Sequence, residues 1–251
     1  MTASGLHTCF KLLEVRVENA RTRTLVLDGA QEGTQPGQYL MAWLPGVGEK
    51  PFSIAGNHPL ALTVADVGPL SHALCSLEPG ADVWARGPLG HGFEPLGRRH
   101  LLVGGGYGAA PLAFLAGQLL VLGGEVTVCL GARCAAELLL VRSLQAMGCR
   151  VWTATEDGSA GRQGLVLEPA REALLQGVDC VYACGPTGML LAVARAAREA
   201  GVPAQLSFEA LMRCGVGLCG SCELPEALCA EVGLLPGWLV CHDGPVARLD
   251  I

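Results

Sequence analysis

The stretch HLLVGGGYGAAPLAFLAGQLL, residues 100–120, decides how this chain folds. His100–Val103 reads as a strand, the glycines that follow as a tight turn, and Ala109–Leu122 as a buried helix. A strand, a glycine turn and a helix in that order place a pyrophosphate on a helix N-terminus. Gly104, Gly106 and Gly108 let the backbone approach the phosphates, and the helix dipole favours their charge. The run reads G-x-G-x-x-P through Gly106, Gly108 and Pro111, a variant of the usual dinucleotide fingerprint. An ordinary βα turn has similar letters, so the context carries the reading more than the glycines do.

Downstream the pattern repeats. Strands at Glu125–Leu130, Arg150–Thr155 and Cys180–Ala183 alternate with helices at Ala135–Met147, Leu165–Gln176 and Met189–Ala200, and Gln205–Phe208 reads as a last strand. Such alternation implies a parallel sheet covered on both faces. Cys184, Gly185 and Pro186 follow its fourth strand, on the edge where open α/β sheets bind ligands. These small residues suit a nicotinamide ring lying close, and equally suit a strand end with a buried thiol.

Upstream, Phe10–Val17, Thr22–Asp28, Tyr39–Leu44, Leu60–Ala65 and Asp82–Ala85 are strand-length and punctuated by Gly, Pro, Asn and Asp. One short helix fits around Ser71–Leu77. Closely spaced strands of this kind suggest a small antiparallel barrel. Lys50, Pro51, Phe52 and Ser53 set a cation beside an aromatic ring and a hydroxyl, which suits a phosphate and a ring nitrogen. Read alone, these four residues fit a solvated lysine near a turn as well. Gly87-Pro88-Leu89-Gly90 reads as a turn.

The strongest chemical signal lies near the C-terminus. Cys214, Cys219 and Cys222 read C-x4-C-x2-C, the spacing by which plant-type ferredoxins hold a [2Fe–2S] cluster with a fourth cysteine further on. Gly215, Gly217 and Gly220 free backbone N–H groups to point at sulfur. Four thiolates also suit structural zinc, but zinc sites usually pair two short knuckles, whereas three ligands crowd one loop here. Cys229 and Cys241 both stand as fourth ligand on spacing alone. Nicotinamides move two electrons as hydride and a [2Fe–2S] cluster moves one, so a carrier must stand between them, and flavin is the usual one. Electron counting therefore assigns the flavin to the barrel.

Composition narrows the remaining classes. The 251 residues are 51% hydrophobic and 16% charged, enough for a sizeable core. A net charge of −6 without a basic run argues against nucleic acid. The stretch Ala109–Leu122 is too short for a bilayer and holds Pro111 and Gln118, so no membrane is expected. The opening MTASGLHTCF has no signal-peptide pattern, and twelve cysteines then imply a reducing, cytoplasmic setting. Cys9, Cys75, Cys129, Cys149 and Cys180 read as small buried hydrophobes.

Taken together, KPFSIA (50–55), GPLGHGF (87–93), GGGYGAAPL (104–112), TEDGSAGRQG (155–164), CGPTGM (184–189), FEALMRCGVGLCGSC (208–222) and CHDGPV (241–246) resemble the ferredoxin–NADP reductase superfamily over nearly the whole chain. Within it they look most like the electron transfer subunits of two-subunit, NAD-dependent dihydroorotate dehydrogenases. The resemblance implies three units. These are an FAD-binding β-barrel at 1–97, an NAD-binding α/β domain at 98–208 and a [2Fe–2S] module at 209–251. It implies an FAD site at Lys50, Pro51, Phe52, Ser53, Thr63, Val64, Ala65, Leu70 and Ser71, and it selects Cys241 as fourth ligand, because the family's last cysteine precedes a similar D-G-P-V. Lys50 stands where the family usually has Arg, keeping the charge without the bidentate fork. Leu70-Ser71 stands where the family has Gly-Thr. Ser53 and Cys184 are the candidates beside flavin and nicotinamide. The family's partner is an FMN-containing catalytic subunit that oxidises dihydroorotate to orotate, in a heterotetramer of two of each chain. Nothing in this chain looks like an orotate site.

A related reductase subunit serving a hydrogenase or a ferredoxin:NAD(P)+ oxidoreductase would share these parts. A zinc-stabilised binding protein without redox activity is the reading from another class. NAD(H) is expected on family grounds, although Arg133 follows the second α/β strand where an acidic residue would grip a ribose hydroxyl.

Overall fold

The computed structural model describes residues 6–249; the first five residues of the N-terminal reading and the last two of the C-terminal unit lie outside the described residues. Six antiparallel strands form a closed barrel. They are β1 (Thr8–Val17), β2 (Thr22–Leu27), β3 (Tyr39–Leu44), β4 (Gly48–Asn57), β5 (Leu60–Ala65) and β6 (Asp82–Leu89), in the order β1-β2-β5-β4-β3-β6. A short helix, α1 (Pro69–Cys75), follows β5. Alternation fills the interior: Leu60, Leu62 and Val64 of β5 are fully buried while the residues between them are not. Each such leucine contributes about 1.5–3 kcal/mol.

Strand β3 breaks the alternation and is buried almost throughout. Leu40, Ala42 and Leu44 face the barrel core, while Tyr39 and Met41 face the C-terminal module. Strand β4 starts just after the turn at residues 45–47, and Lys50 is exposed on it as the sequence reading had it. Pairing with β3 covers Gly48–Ser53, but pairing with β5 begins only at Ile54. Pro51 therefore sits where one edge of the strand is open, and its missing N–H leaves no gap in a ladder.

The second sheet has seven strands in the order β10-β9-β8-β7-β11-β12-β13. They are β7 (Arg99–Gly105), β8 (Glu125–Ala132), β9 (Arg150–Thr155), β10 (Arg162–Gln163), β11 (Cys180–Cys184), β12 (Ala204–Ser207) and β13 (Val246–Leu249). All neighbours are parallel except β13, which runs antiparallel to β12. Helices α2 (Ala109–Val121), α3 (Val141–Ala146), α4 (Leu167–Leu175) and α5 (Thr187–Glu199) complete the α/β units. Helix α2 is apolar on most sides because it packs on two layers. Leu112, Leu115 and Leu119 meet the sheet, and Phe114 reaches the barrel core.

Two expectations change. The helix read over Ala135–Met147 is broken into a single 3-10 turn at Ala135–Glu137 and α3, with Leu140 at φ 57°. Leu138, Leu139 and Leu140 all pack on the same core, which one helical face does not permit. The segment after residue 208 is more regular than expected. It contains α6 (Glu226–Val232) and then β13, so Gln205–Phe208 does not hold the sheet's last strand. No helix among the described residues is long and apolar enough to cross a membrane.

Candidate functional site

The strand order reverses between β7 and β11, and in such sheets the crevice outside the carboxyl ends at that point takes the ligand. Gly104 is paired with Cys184 there. A Cβ on Gly108 would collide with the carbonyl of Cys184, and one on Gly105 would meet Pro186 at 2.8 Å. The two motifs found separately in the sequence, Gly104–Gly108 and Cys184–Pro186, are thus one surface. Beside Gly106 a Cβ would meet nothing within 4 Å, so that part of the turn is an open cradle at the start of α2.

Facing this edge is a cleft of about 240 Å³. One wall is the open edge of β4, with Pro51, Phe52 and Ser53, joined by Tyr39, Thr63 and Ala65. The opposite wall includes Tyr107, Gly108, Pro111 and Cys184, and Ser207–Ala210 closes one side. Its size suits a flat ring system rather than a whole dinucleotide, and the remainder of such a molecule would run along the protein surface. A larger groove of about 560 Å³, lined by Arg99, His100, Glu125 and Arg150, lies at the amino ends of the parallel strands. That is the wrong edge for a ligand in this fold.

Not every expected flavin residue reaches the cleft. Val64 and Leu70 are buried in the barrel core. The Ser71 hydroxyl accepts from the N–H groups of Val67 and Gly68 at 3.0 and 2.9 Å and donates to the Gly68 carbonyl, at the start of α1. Lys50 is exposed on β4 and makes no ion pair among the described residues. Tyr39, Tyr107 and Glu209 are cleft residues that the sequence did not single out. Burial pushes the Cys184 thiol up to about 12, so it stays protonated. Desolvation also raises the Glu209 carboxyl, although that residue keeps access to solvent. The Glu209 charge, before burial, raises the Tyr107 phenol.

The four cysteines divide by depth: Cys214 and Cys219 lie toward the surface, and Cys222 and Cys241 are buried. Backbone N–H groups aim at them: Val216 to Cys214 Sγ at 3.5 Å, Gly217 to Cys241 Sγ at 3.2 Å and Cys241 to Cys222 Sγ at 3.4 Å. The Ser221 hydroxyl, 3.0 Å from Cys219 Sγ, lowers that thiol to about 6. The Val216 N–H lowers Cys214, whereas burial pushes Cys241 up to about 12. Among the described residues no three such side chains converge as on one ion. Four cysteines with backbone N–H groups aimed at three of their sulfurs fit a [2Fe–2S] cluster. Cys229 lies on the buried face of α6 and points its thiol at the Leu224 carbonyl, 3.8 Å away. A turn closed by Asp243, which accepts from Leu239 N–H at 2.7 Å, presents Cys241 instead.

The barrel joins these parts. Tyr39 is among the residues that line the cleft, and its hydroxyl donates to the carbonyls of Gly215 and Cys241 at 3.1 and 3.0 Å. Arg86 Nη2 donates to the Cys214 carbonyl at 2.9 Å.

A barrel, a parallel nucleotide sheet and a ferredoxin-like cysteine module define a flavin and iron–sulfur oxidoreductase of ferredoxin-reductase architecture. Residues 209–250 match "Iron-sulfur cluster binding domain of dihydroorotate dehydrogenase B", and residues 102–195 match "Oxidoreductase NAD-binding domain". The chain is 42% identical over 215 residues to "Probable dihydroorotate dehydrogenase B (NAD(+)), electron transfer subunit" of Methanopyrus kandleri, covering 84% of this chain and 78% of that one. The Thermococcus kodakarensis protein of the same name is 44% identical, covering 84% and 83%. A solved NADH-dependent reduced ferredoxin–NADP oxidoreductase superposes with TM-score 0.81 at 28% identity, over 97% of this chain and 89% of that one. The chain belongs to the family of dihydroorotate dehydrogenase B electron transfer subunits.

Proposed function

We propose that this chain passes electrons from a catalytic subunit, which oxidises dihydroorotate to orotate with FMN, to NAD+ in pyrimidine biosynthesis. The observation that carries the reading is Tyr39, which lines the cleft while its hydroxyl bonds carbonyls in both halves of the cysteine module. FAD, when bound, supplies the exchange between the two-electron chemistry of nicotinamide and the one-electron chemistry of a [2Fe–2S] cluster.

The residues take the following parts. The open edge at Pro51–Ser53, with Thr63 and Ala65, holds the flavin ring, and exposed Lys50 serves its phosphates. Val64 contributes backbone only. Gly104, Gly106 and Gly108 receive the NAD pyrophosphate at the start of α2. Cys184, Gly185 and Pro186 leave room for the nicotinamide, and the neutral Cys184 thiol packs there without competing as a nucleophile. Cys214, Cys219, Cys222 and Cys241 would hold the [2Fe–2S] cluster, the first two nearer the surface and the last two buried. The division into 1–97, 98–208 and 209–251 follows these three tasks.

The cofactor choice favours NAD. Arg133, the residue that would accept a 2′-phosphate, is engaged by Glu137 through both Nε and Nη2. The acidic group missing from the strand end is thus supplied four residues later. Partner docking belongs on the cluster side, where Leu218 is 85% exposed beside exposed Cys219, with Leu211 and Val216 nearby in sequence. A heterotetramer of two of each chain in the cytoplasm completes the reading, in keeping with twelve free cysteines.

The ferredoxin-linked structural relative supports a second reading, in which the chain reduces or oxidises a ferredoxin. Reconstitution separates the two. The holoprotein is mixed with an FMN-containing dihydroorotate dehydrogenase subunit, or with ferredoxin, and NAD+ reduction is followed. Turnover with ferredoxin alone would favour the second reading.

A further inference from the structure

We propose that Tyr39 and Arg86 of the barrel are positioning residues that set the reduction potential of the cluster by holding the cysteine-loop carbonyls away from sulfur. The inference rests on Cys214, Cys219, Cys222 and Cys241 being the ligands.

The geometry starts from the planar trans peptide, in which C=O and N–H point in opposite directions. The carbonyl of the Gly215–Val216 peptide is bonded to the Tyr39 hydroxyl at 3.1 Å, and the N–H of the same peptide points at Cys214 Sγ at 3.5 Å. The preceding carbonyl, of Cys214, is held by Arg86 at 2.9 Å. Gly215 and Gly217 take φ of 71° and 79°, a turn that puts carbonyls on the barrel side and N–H groups on the sulfur side. The Gly217 N–H then reaches Cys241 Sγ, and the carbonyl of Cys241 returns to Tyr39. A phenol has one proton, so the two carbonyls share it.

Both donors are fixed. Tyr39 is 2% exposed on β3, and the Arg86 side chain is 10% exposed. Glu49 grips Arg86 by two bonds of 2.8 Å and takes His7 Nε2 at 2.7 Å. A reduced cluster carries one more negative charge than an oxidised one. N–H groups aimed at its sulfurs and a nearby guanidinium stabilise that charge and raise the potential. A purely mechanical tie would stabilise the module and leave the potential where it is.

The test is a redox titration of the cluster in the FAD-loaded holoprotein, followed by electron paramagnetic resonance, for wild type, Tyr39→Phe and Arg86→Lys. Tyr39→Phe keeps the ring and removes the hydroxyl. It should retain FAD and about two irons per chain. Its cluster should be harder to reduce by roughly tenfold, about 59 mV for one electron, with altered g-values. Arg86→Lys keeps the charge, loses the fork and should move the potential the same way by less. An unchanged potential in both variants overturns the inference, as does loss of iron from Tyr39→Phe with FAD still bound. If Tyr39→Phe does not fold, Arg86→Lys decides. Absence of iron from the wild-type protein would instead remove the cysteine assignment beneath it.

Discussion

Gly108 abuts the carbonyl oxygen of Cys184 so closely that a Cβ has no room between them. This contact locks the glycine turn after β7 to the strand end of β11, and the cleft opens directly beside it. Gly108→Ala should force the two loops apart at a cost of about 1–3 kcal/mol. NADH affinity should fall about tenfold or more, measured by titrating the bound flavin's fluorescence. FAD and iron contents should stay at wild-type values, and unchanged NADH affinity would separate the turn from the nucleotide.

The cysteine assignment separates by iron analysis. Cys241→Ser should lose the cluster and its visible absorption. Cys229→Ala should keep about two irons per chain, because that thiol faces the Leu224 carbonyl and not the other sulfurs. Iron lost from Cys229→Ala and kept in Cys241→Ser would exchange their roles.

Asp179 ties β7 to β11 at the opposite end of the sheet. The backbone N–H groups of Arg99 and Arg98, before the Arg99 side chain, hold its carboxyl at about 2 instead of 3.8. A depressed carboxyl stabilises the fold above its unfolded value, and that contribution is lost as pH falls through the folded value. Asp179→Asn should therefore lower the denaturant midpoint at pH 7. The gap from wild type should close between pH 3.8 and about 2. A gap independent of pH would point to packing instead.

Glu209 has the opposite sign. Its carboxyl is raised by desolvation from 4.5, so the folded state loses stability as pH rises through the raised value. Glu209→Gln should raise the Tm at pH 8 and leave it unchanged near pH 4. A lower Tm at pH 8 would show that the ionised carboxylate is satisfied in the cleft.

Much of this was readable in the letters. Strand, glycine turn and helix at residues 100–120 mark the nucleotide edge because their periodicity and their turn chemistry agree. Cys214, Cys219 and Cys222 mark the cluster because ligand spacing is local. What depended on distant packing was hidden. Pro51 is out of place inside a strand until the one-sided pairing of β4 is known. Leu138–Leu140 look helical until each leucine finds the core. The Ser71 hydroxyl's bonds to the Val67 and Gly68 N–H groups were likewise not visible in the sequence. Tyr39 carries no local signal, since its partners lie 176 and 202 residues away.

The most direct test of the electron route is an anaerobic titration of the isolated, FAD- and iron-loaded chain with NADH and, separately, with dihydroorotate. NADH should bleach the flavin and bring up the resonance of a reduced [2Fe–2S] cluster, while dihydroorotate should do neither until the FMN subunit is added. Reduction by dihydroorotate without a partner, or a flavin that NADH reduces while the cluster stays oxidised at every potential, would contradict the route.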